Sequence, residues 1–258
     1  QELKKITFET GTTRIAKNLF RKCYGIEEIE IPDTVTSIDS YAFENCKNLK
    51  DVKIGEGVVL IGNAAFFGCD SIKNVKIPDS VTKINSYAFQ ECSALVGIEI
   101  PDSVTEIGIW AFGNCSELVE VKLSKHLKKM EYCAFGNCNK LTEVEIPKSL
   151  EECTDDDLFN DRGRDCYLSG PFYNCQELKK ITFETGTTRI AKNLFRKCYG
   201  IEEIEIPDTV TSIDGYAFEN CKNLKDVKIG ENVILIGEAS FFGCGKIENI
   251  KIPDSVTE

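Results

Sequence analysis

The chain has 258 residues, of which 42% are hydrophobic, and a formal net charge of −11 at pH 7. This apolar content is enough for a continuous core and excludes a largely disordered chain. The acidic balance, with a pI near 4.9, disfavours nucleic acid and anionic membrane surfaces as partners, because phosphate binding requires a basic stripe that the sequence lacks. No apolar run approaches the roughly 18 residues of a membrane helix, so we expect no membrane insertion in this chain.

A fixed spacing of 23 residues organises the sequence. It is clearest in two runs of cysteines, which are Cys23, Cys46, Cys69, Cys92, Cys115 and Cys138, followed by Cys175, Cys198, Cys221 and Cys244. A constant period between 20 and 50 residues is the signature of a solenoid, in which each repeat is one supersecondary unit stacked on its neighbour. The spacing therefore predicts a single solenoid over residues 1–258.

One coil is represented by residues 77–100, IPDSVTKINSYAFQECSALVGIEI. Apolar and polar residues alternate at its end, which predicts a half-buried strand, and Pro78 must stop the strand before it. Residues 81–84 are β-rich and predict a second short strand, and the spacing over 87–91 fits one helical or 3₁₀ turn. Nine side chains of this coil are expected to point inward, namely Ile77, Val81, Ile84, Ala88, Phe89, Cys92, Leu95, Ile98 and Ile100.

The pattern IPDSVTxIxxxAFxxCxxLxxIxI, as it stands at 77–100 and 100–123, resembles the leucine-rich repeats of the BspA-like bacterial and protist surface proteins. The resemblance covers almost the whole chain and is more specific for the fold than for a ligand. We expect a mainly β, right-handed leucine-rich repeat array of about eleven coils with short helical or 3₁₀ turns, roughly 50 Å long at about 4.8 Å per coil. The resemblance also implies a cell-surface or secreted protein that acts in adhesion or attachment, without assigning a site residue.

Residues 1–83 and 176–258 are near-duplicate blocks at an offset of 175, and they differ at ten of 83 positions. The substitutions fall mostly at polar positions of the frame, as where Gly57 corresponds to Asn232. This distribution supports the assignment of inward and outward positions. The chain starts just after a ladder-cysteine position and ends at Glu258 inside a repeat unit, so we expect a fragment of a longer protein.

The array is interrupted once, by 14 extra residues between Cys153 and Pro171, which predicts an acidic insertion over 154–170 within one coil. Residues 151–170 contain seven acidic residues and two arginines. Carboxylate oxygens are the ligands that calcium prefers, although the spacing fits no EF-hand loop. A solvated acidic loop is the alternative. The calcium candidates are Asp155, Asp156, Asp157, Asp161 and Asp165, and no other cofactor is expected.

The ten cysteines of the 23-residue ladder are expected to be buried free thiols. Neighbouring rungs lie about 4.8 Å apart with parallel side chains, which fits disulfide geometry poorly, and a thiol behaves as a small hydrophobe. Three further cysteines fall outside the ladder, and Cys153 and Cys166 are spaced so that a disulfide across the insertion is conceivable. The single histidine, His126, occupies a turn position and is expected to be solvated, which removes most metal sites and catalytic triads.

The exposed positions of the predicted strands carry mixed charges and no aromatic residue. A carbohydrate groove usually has aromatic platforms, so the strand face does not resemble one. Aromatic residues instead precede the Ala-Phe pair in several coils, and we expect most of them to pack on the turn. These residues are Tyr41, Tyr87, Trp110 and Tyr216, and a partly exposed Trp110 beside Ile109 would make a small apolar patch.

The sequence therefore favours a non-enzymatic protein-binding module that engages a protein or extracellular-matrix partner, with the oligomeric state left open. The insertion alone distinguishes one place on a repetitive surface, and its charge predicts a basic partner and salt-sensitive association. Two alternatives remain, an intracellular scaffold and a β-helix-type enzyme that acts on polysaccharide with the carboxylates of the insertion. The candidate binding residues are Arg162, Arg164, Lys122, Glu143 and Glu145.

Overall fold

A computed structural model describes residues 3–153 and 169–257. Over these residues the chain forms nineteen short parallel strands and no helix. Each coil contributes a long strand, a short strand and a set of turns around the Ala-Phe pair. The solenoid therefore has a long-strand face, a short-strand face and a turn side.

The long-strand face consists of β2 (Glu28–Glu30), β4 (Asp51–Lys53), β6 (Asn74–Val75), β8 (Gly97–Glu99), β10 (Glu120–Lys122), β12 (Glu143–Ile146), β13 (Lys180–Phe183), β15 (Glu203–Glu205), β17 (Asp226–Lys228) and β19 (Asn249–Ile250). The short-strand face consists of β1 (Arg14–Ile15), β3 (Ser37–Ile38), β5 (Leu60–Ile61), β7 (Lys83–Ile84), β9 (Glu106–Ile107), β11 (Lys129–Met130), β14 (Arg189–Ile190), β16 (Ser212–Ile213) and β18 (Leu235–Ile236).

The coils stack in strict register, so that each residue pairs with the residue one repeat later, as Glu28 pairs with Asp51. The register survives the insertion on the long-strand face, where Glu143 pairs with Lys180 and β12 joins β13 along four residues. On the short-strand face the six-stranded sheet ends at β11, and a separate three-stranded sheet begins at β14. The insertion therefore interrupts the short-strand ladder and not the long-strand ladder, which divides into separate sheets elsewhere, between β6 and β8 and between β13 and β15.

The inward positions predicted for one coil are confirmed, because all nine side chains of residues 77–100 are buried. Within the described residues, the phenylalanines at the second position of the Ala-Phe pair, or at the matching position where another residue replaces the alanine, form a single stack with ring centroids 5.2 to 5.8 Å apart. The stack has ten rungs, which is close to the predicted number of about eleven coils. The insertion adds residues to the chain without adding a coil. These rungs are Phe20, Phe43, Phe66, Phe89, Phe112, Phe135, Phe172, Phe195, Phe218 and Phe241.

The turn side differs in detail from the predicted helical turn. Ala88 N–H donates to the Asn85 carbonyl within the coil, but the next N–H, that of Phe89, donates to the Ala111 carbonyl of the following coil at 2.7 Å. Tyr87 and Glu91 also have left-handed backbone conformations, with φ of 64° and 61°. A helix needs consecutive residues in the right-handed conformation and hydrogen bonds within its own segment. The segment therefore forms turns that are hydrogen-bonded to the neighbouring coil.

The cysteine ladder lies beside the phenylalanine stack. Nine of its ten thiols are buried, as predicted, and Cys23 is partly exposed. Most of the Sγ atoms donate to a phenylalanine carbonyl of the preceding coil, as Cys115 does to Phe89 at 3.3 Å. All the cysteines of the described residues are free thiols, including Cys153, and Cys166 lies outside those residues.

Burial sets an alkaline limit to stability. It raises the pKa of Cys46, Cys115 and Cys198 to about 12, whereas an unfolded cysteine titrates near 8.5. Between these values the folded state binds more protons than the unfolded state. The contribution of the thiols to the free energy of unfolding is therefore constant below about pH 8 and is lost as the pH rises toward 12.

Urea unfolding at about pH 7.5 and about pH 10 measures this loss. Cys115→Ala removes one titrating rung and should make the pH dependence shallower than in the parent chain. Equal stability at both pH values would contradict burial of the thiols.

Candidate functional site

The outward side chains of the long-strand face form a ladder of ion pairs between adjacent coils. Lys53 pairs with Glu30, Lys122 pairs with Glu99, and Lys180 pairs with Glu143. These side chains are exposed, so the pairs are screened by solvent and add little to stability. Their effect is to hold charged groups of both signs in a fixed order along the face.

Three of the candidate binding residues, Lys122, Glu143 and Glu145, line one open groove of about 890 Å³ across β10, β12 and β13. We call it the central groove. Glu145 lies opposite Thr182 in the strand register. The register across the insertion therefore brings together residues from coils that are separated by 14 extra residues in the sequence.

The edge of the central groove contains Glu184, which sequence reasoning missed. Its carboxylate accepts the backbone N–H of Lys148 at 3.1 Å and lies 3.2 Å from the Lys148 ammonium group. The pKa of Glu184 is lowered from its usual value, mainly because the carboxylate accepts this backbone hydrogen bond and secondly because the Lys148 ammonium group is near. The partners are 36 residues apart, so the regular 23-residue spacing gives no signal for this contact.

The long-strand face has three further grooves. One of about 800 Å³ adjoins the central groove and shares Lys122 and Lys125 with it, and one lies in each duplicated block. The N-terminal groove, about 640 Å³, contains Glu28, Glu30, Asp51 and Lys53 among its lining residues. The C-terminal groove, about 620 Å³, contains the corresponding residues of the second block, which are Glu203, Glu205, Asp226 and Lys228. The two grooves lie seven coils apart, roughly 34 Å at about 4.8 Å per coil, so the chain presents the same charge pattern twice.

The other candidate residues fall within residues 154–168, outside the part of the chain that the structure describes. They are Arg162, Arg164 and the five calcium candidates Asp155, Asp156, Asp157, Asp161 and Asp165. Among residues 3–153 and 169–257, no group of three or more His, Cys, Asp or Glu side chains could hold a metal ion. The calcium site therefore stays a prediction.

The structure places both ends of the insertion. Glu152 still bridges to Lys129 on the short-strand face, and the coil resumes at Ser169, which is 1% exposed. Gly170 donates its N–H to the Arg196 carbonyl at 3.0 Å, and a Cβ on Gly170 would lie 2.2 Å from the Asn193 carbonyl oxygen. Ser169 and Gly170 thus belong to the coil, and the insertion leaves between the short strand and the turn side, not from the central groove.

The remaining sequence expectations concern His126 and the tyrosines of the turn. His126 lies at a turn, as expected, with Nδ1 3.0 Å from the Asp102 carbonyl oxygen. The turn aromatics are not fully packed, however, because Tyr41 and Tyr87 are each 37% exposed. Their left-handed backbone conformation directs the chain outward at a position that sequence periodicity alone assigns to neither face.

The parallel ladders, the phenylalanine stack and the cysteine rungs define a leucine-rich repeat solenoid. The chain belongs to the family described as the BspA type leucine rich repeat region, whose model matches in six copies over residues 1–96, 82–162 and 169–258. A search of curated proteins gives no match. Within the described residues, no helix is long and apolar enough to cross a membrane.

Solved structures share the fold. A leucine-rich repeat protein from Bacteroides ovatus is 25% identical, with a TM-score of 0.64 over 95% of this chain and 71% of that one. A leucine-rich cell surface protein from Faecalibacterium prausnitzii is 28% identical, with a TM-score of 0.58 over 95% and 72% of the two chains. The pneumococcal vaccine antigen PcpA is 21% identical, with a TM-score of 0.53 over 95% and 57%, and this likeness concerns the fold alone.

Proposed function

We propose that this chain is a non-enzymatic protein-binding module of a cell-surface or secreted protein, and that it mediates adhesion to a host protein or to extracellular matrix. The observation that carries the proposal is the long-strand face, an open ladder of charged side chains with four shallow grooves. Such a surface suits a macromolecular partner, since protein interfaces are polar at the rim and extend over many residues. The cell-surface description of the Faecalibacterium prausnitzii protein supports the location.

Recognition is centred on the coil that contains the insertion. The repeats provide a long surface of similar coils, and among the strands of residues 3–153 and 169–257 only β12 and β13 reach four residues. The acidic insertion, with Arg162 and Arg164 among its carboxylates, favours a basic partner surface. Association is then salt-sensitive, and calcium on the insertion would reduce that sensitivity by neutralising its charge.

The test is binding to immobilised extracellular-matrix extract, with thermal stability measured in parallel. Deletion of Thr154–Tyr167, 14 residues, restores the 23-residue spacing and keeps the buried Ser169 in place. A second variant reverses three charges of the central groove, Lys122→Glu, Glu143→Lys and Glu145→Lys. We expect both variants to fold and to lose at least about tenfold in affinity, or about 1.4 kcal/mol.

The matched control reverses the charges of the N-terminal groove, Glu28→Lys, Glu30→Lys and Lys53→Glu, and should bind like the parent chain. If both test variants fold and bind as tightly as the parent, recognition at this coil is refuted. A polysaccharide-acting enzyme would instead release reducing ends from the matrix and lose this activity in the deletion variant. An intracellular scaffold would show no matrix binding in any variant.

A further inference from the structure

A second surface with unusual chemistry lies on the turn side, around the only tryptophan of the chain, Trp110. The position after each stacked phenylalanine is a glycine in two adjacent coils, at Gly113 and Gly136. A Cβ at Gly113 would lie 2.1 Å from Cε3 of Trp110, and a Cβ at Gly136 would lie 3.0 Å from its Cζ3. The six-membered ring of the indole therefore lies close to the backbone of both coils. A side chain at Gly113 would displace the ring, and one at Gly136 would force it to shift slightly.

Other aromatic rings surround this indole. Tyr173, in the coil where the chain returns from the insertion, presents its ring edge to Trp110 with centroids 6.5 Å apart and an interplanar angle of 78°. Tyr41 and Tyr87 stand two coils apart at the same position of the frame as Trp110, and the coil between them has Ala64 there. The small alanine leaves a gap between the two exposed tyrosines. Together they border an open groove of about 530 Å³, which we call the aromatic groove.

The polar groups of the aromatic groove are mostly neutral. Gln90 and Asn114 contribute side-chain amides, and Asn114 Oδ1 already accepts a hydrogen bond from Asn137 at 2.8 Å. Glu44 is the one charged lining residue, and it is paired with Arg21 at 2.5 Å. Lys17 and Arg21 each lie 5.9 Å from the centroid of the Tyr41 ring. Apart from Glu44, the residues that line the groove itself are aromatic, aliphatic or neutral polar residues.

We propose that the aromatic groove binds a neutral oligosaccharide. The face of an aromatic ring is electron-rich, and it attracts the weakly positive C–H groups on one face of a sugar ring. Side-chain amides supply donors and acceptors for the hydroxyl groups, the combination of aromatic walls and a few polar groups that ligand sites use. An extended peptide fits less well, because the backbone N–H groups of Tyr87, Phe89 and Glu91 are already bonded to the following coil.

Intrinsic fluorescence reports directly on this groove, because Trp110 is the only tryptophan. The full chain is titrated with cellohexaose, mannohexaose and xylohexaose, and in parallel with an acidic oligogalacturonide and a proline-rich peptide. We expect a saturable change with at least one neutral sugar and none with the acidic sugar or the peptide. A response to the peptide alone, or no response to any neutral sugar, would overturn the proposal.

Variants assign the site by calorimetric titration with the responding sugar. Trp110→Ala and Tyr87→Ala should each weaken binding by about tenfold or more, because each removes a stacking surface. The control is Tyr216→Ala, since Tyr216 occupies the same position of the frame as Tyr87 and Trp110 but does not line the groove, and its ring instead lies 5.0 Å from the Arg196 guanidinium group. Circular dichroism verifies that each variant is folded. If folded Trp110→Ala binds as the parent does, or Tyr216→Ala is equally impaired, the groove is not the site.

Discussion

Replacing Phe112 by alanine is expected to lower the free energy of unfolding by about 3–5 kcal/mol. Phe112 is fully buried and stacks between Phe89 and Phe135, with ring centroids 5.4 and 5.2 Å apart. The coils on either side are held at a fixed spacing by backbone hydrogen bonds, such as that from Phe112 N–H to the Ala134 carbonyl at 2.7 Å. The walls cannot collapse into the space, so the variant keeps most of the cavity.

Urea-induced unfolding followed by circular dichroism measures this loss. Lys122→Ala is the surface control, because its side chain is exposed and its ion pair with Glu99 is screened by solvent, and it should change stability by less than about 0.5 kcal/mol. Similar losses for the two variants would show that the inward and outward positions are wrongly assigned.

The second large effect is expected at Arg196, where substitution by methionine should cost about 3 kcal/mol. The guanidinium group lies 2.6 Å from the Glu219 carboxylate, and both side chains are largely buried, with 14% and 9% of their surface exposed. It also lies 5.0 Å from the centroid of the Tyr216 ring. Methionine fills similar space but leaves the buried Glu219 carboxylate without its cation. Leaving one buried charge unpaired costs more free energy than removing both charges.

The duplication supplies a matched control, because Arg21 and Glu44 form the corresponding pair in the first block. There the carboxylate is similarly buried, with 10% of its side chain exposed, but the arginine is 46% exposed, so water already solvates the guanidinium group and Arg21→Met should cost less than Arg196→Met. Adding Glu219→Gln to Arg196→Met removes the buried charge and should restore most of the lost stability. Equal losses at the two arginines, measured by urea unfolding, would contradict the dependence on burial.

Much of the architecture is readable from the sequence because the energetics repeat with the residues. The alternation at Ile98 and Ile100 and the stacked phenylalanine recur from coil to coil and face the same neighbours each time, while the proline after the long strand and the alanine before the phenylalanine recur in most coils. A side chain such as Phe89 is therefore buried for the same reason in every coil, and one coil read correctly predicts the core of all the others. The burial of the cysteine ladder follows from the same argument.

The turn side was harder to predict, because its conformation depends on the neighbouring coil. The residues from Tyr87 to Glu91 have a spacing that fits a helical turn, but their N–H groups bond alternately within the coil and to the next one. The left-handed conformations at Tyr87 and Glu91 are maintained by this stacking. A local pattern cannot reveal hydrogen bonds whose acceptors lie a whole repeat away.

By itself the sequence determined the period, the family, the inward side of each coil and the one break in the array, because these depend on residues that recur at a fixed spacing. Only the tertiary structure decided which exceptional residues meet. The contact of Glu184 with Lys148 spans the insertion, and Trp110 lies against Gly113 and Gly136, which come from successive coils. Such sites arise where the repeat is broken. The stacking of the coils determines which residues meet there, because it brings residues that are distant in the sequence within contact distance.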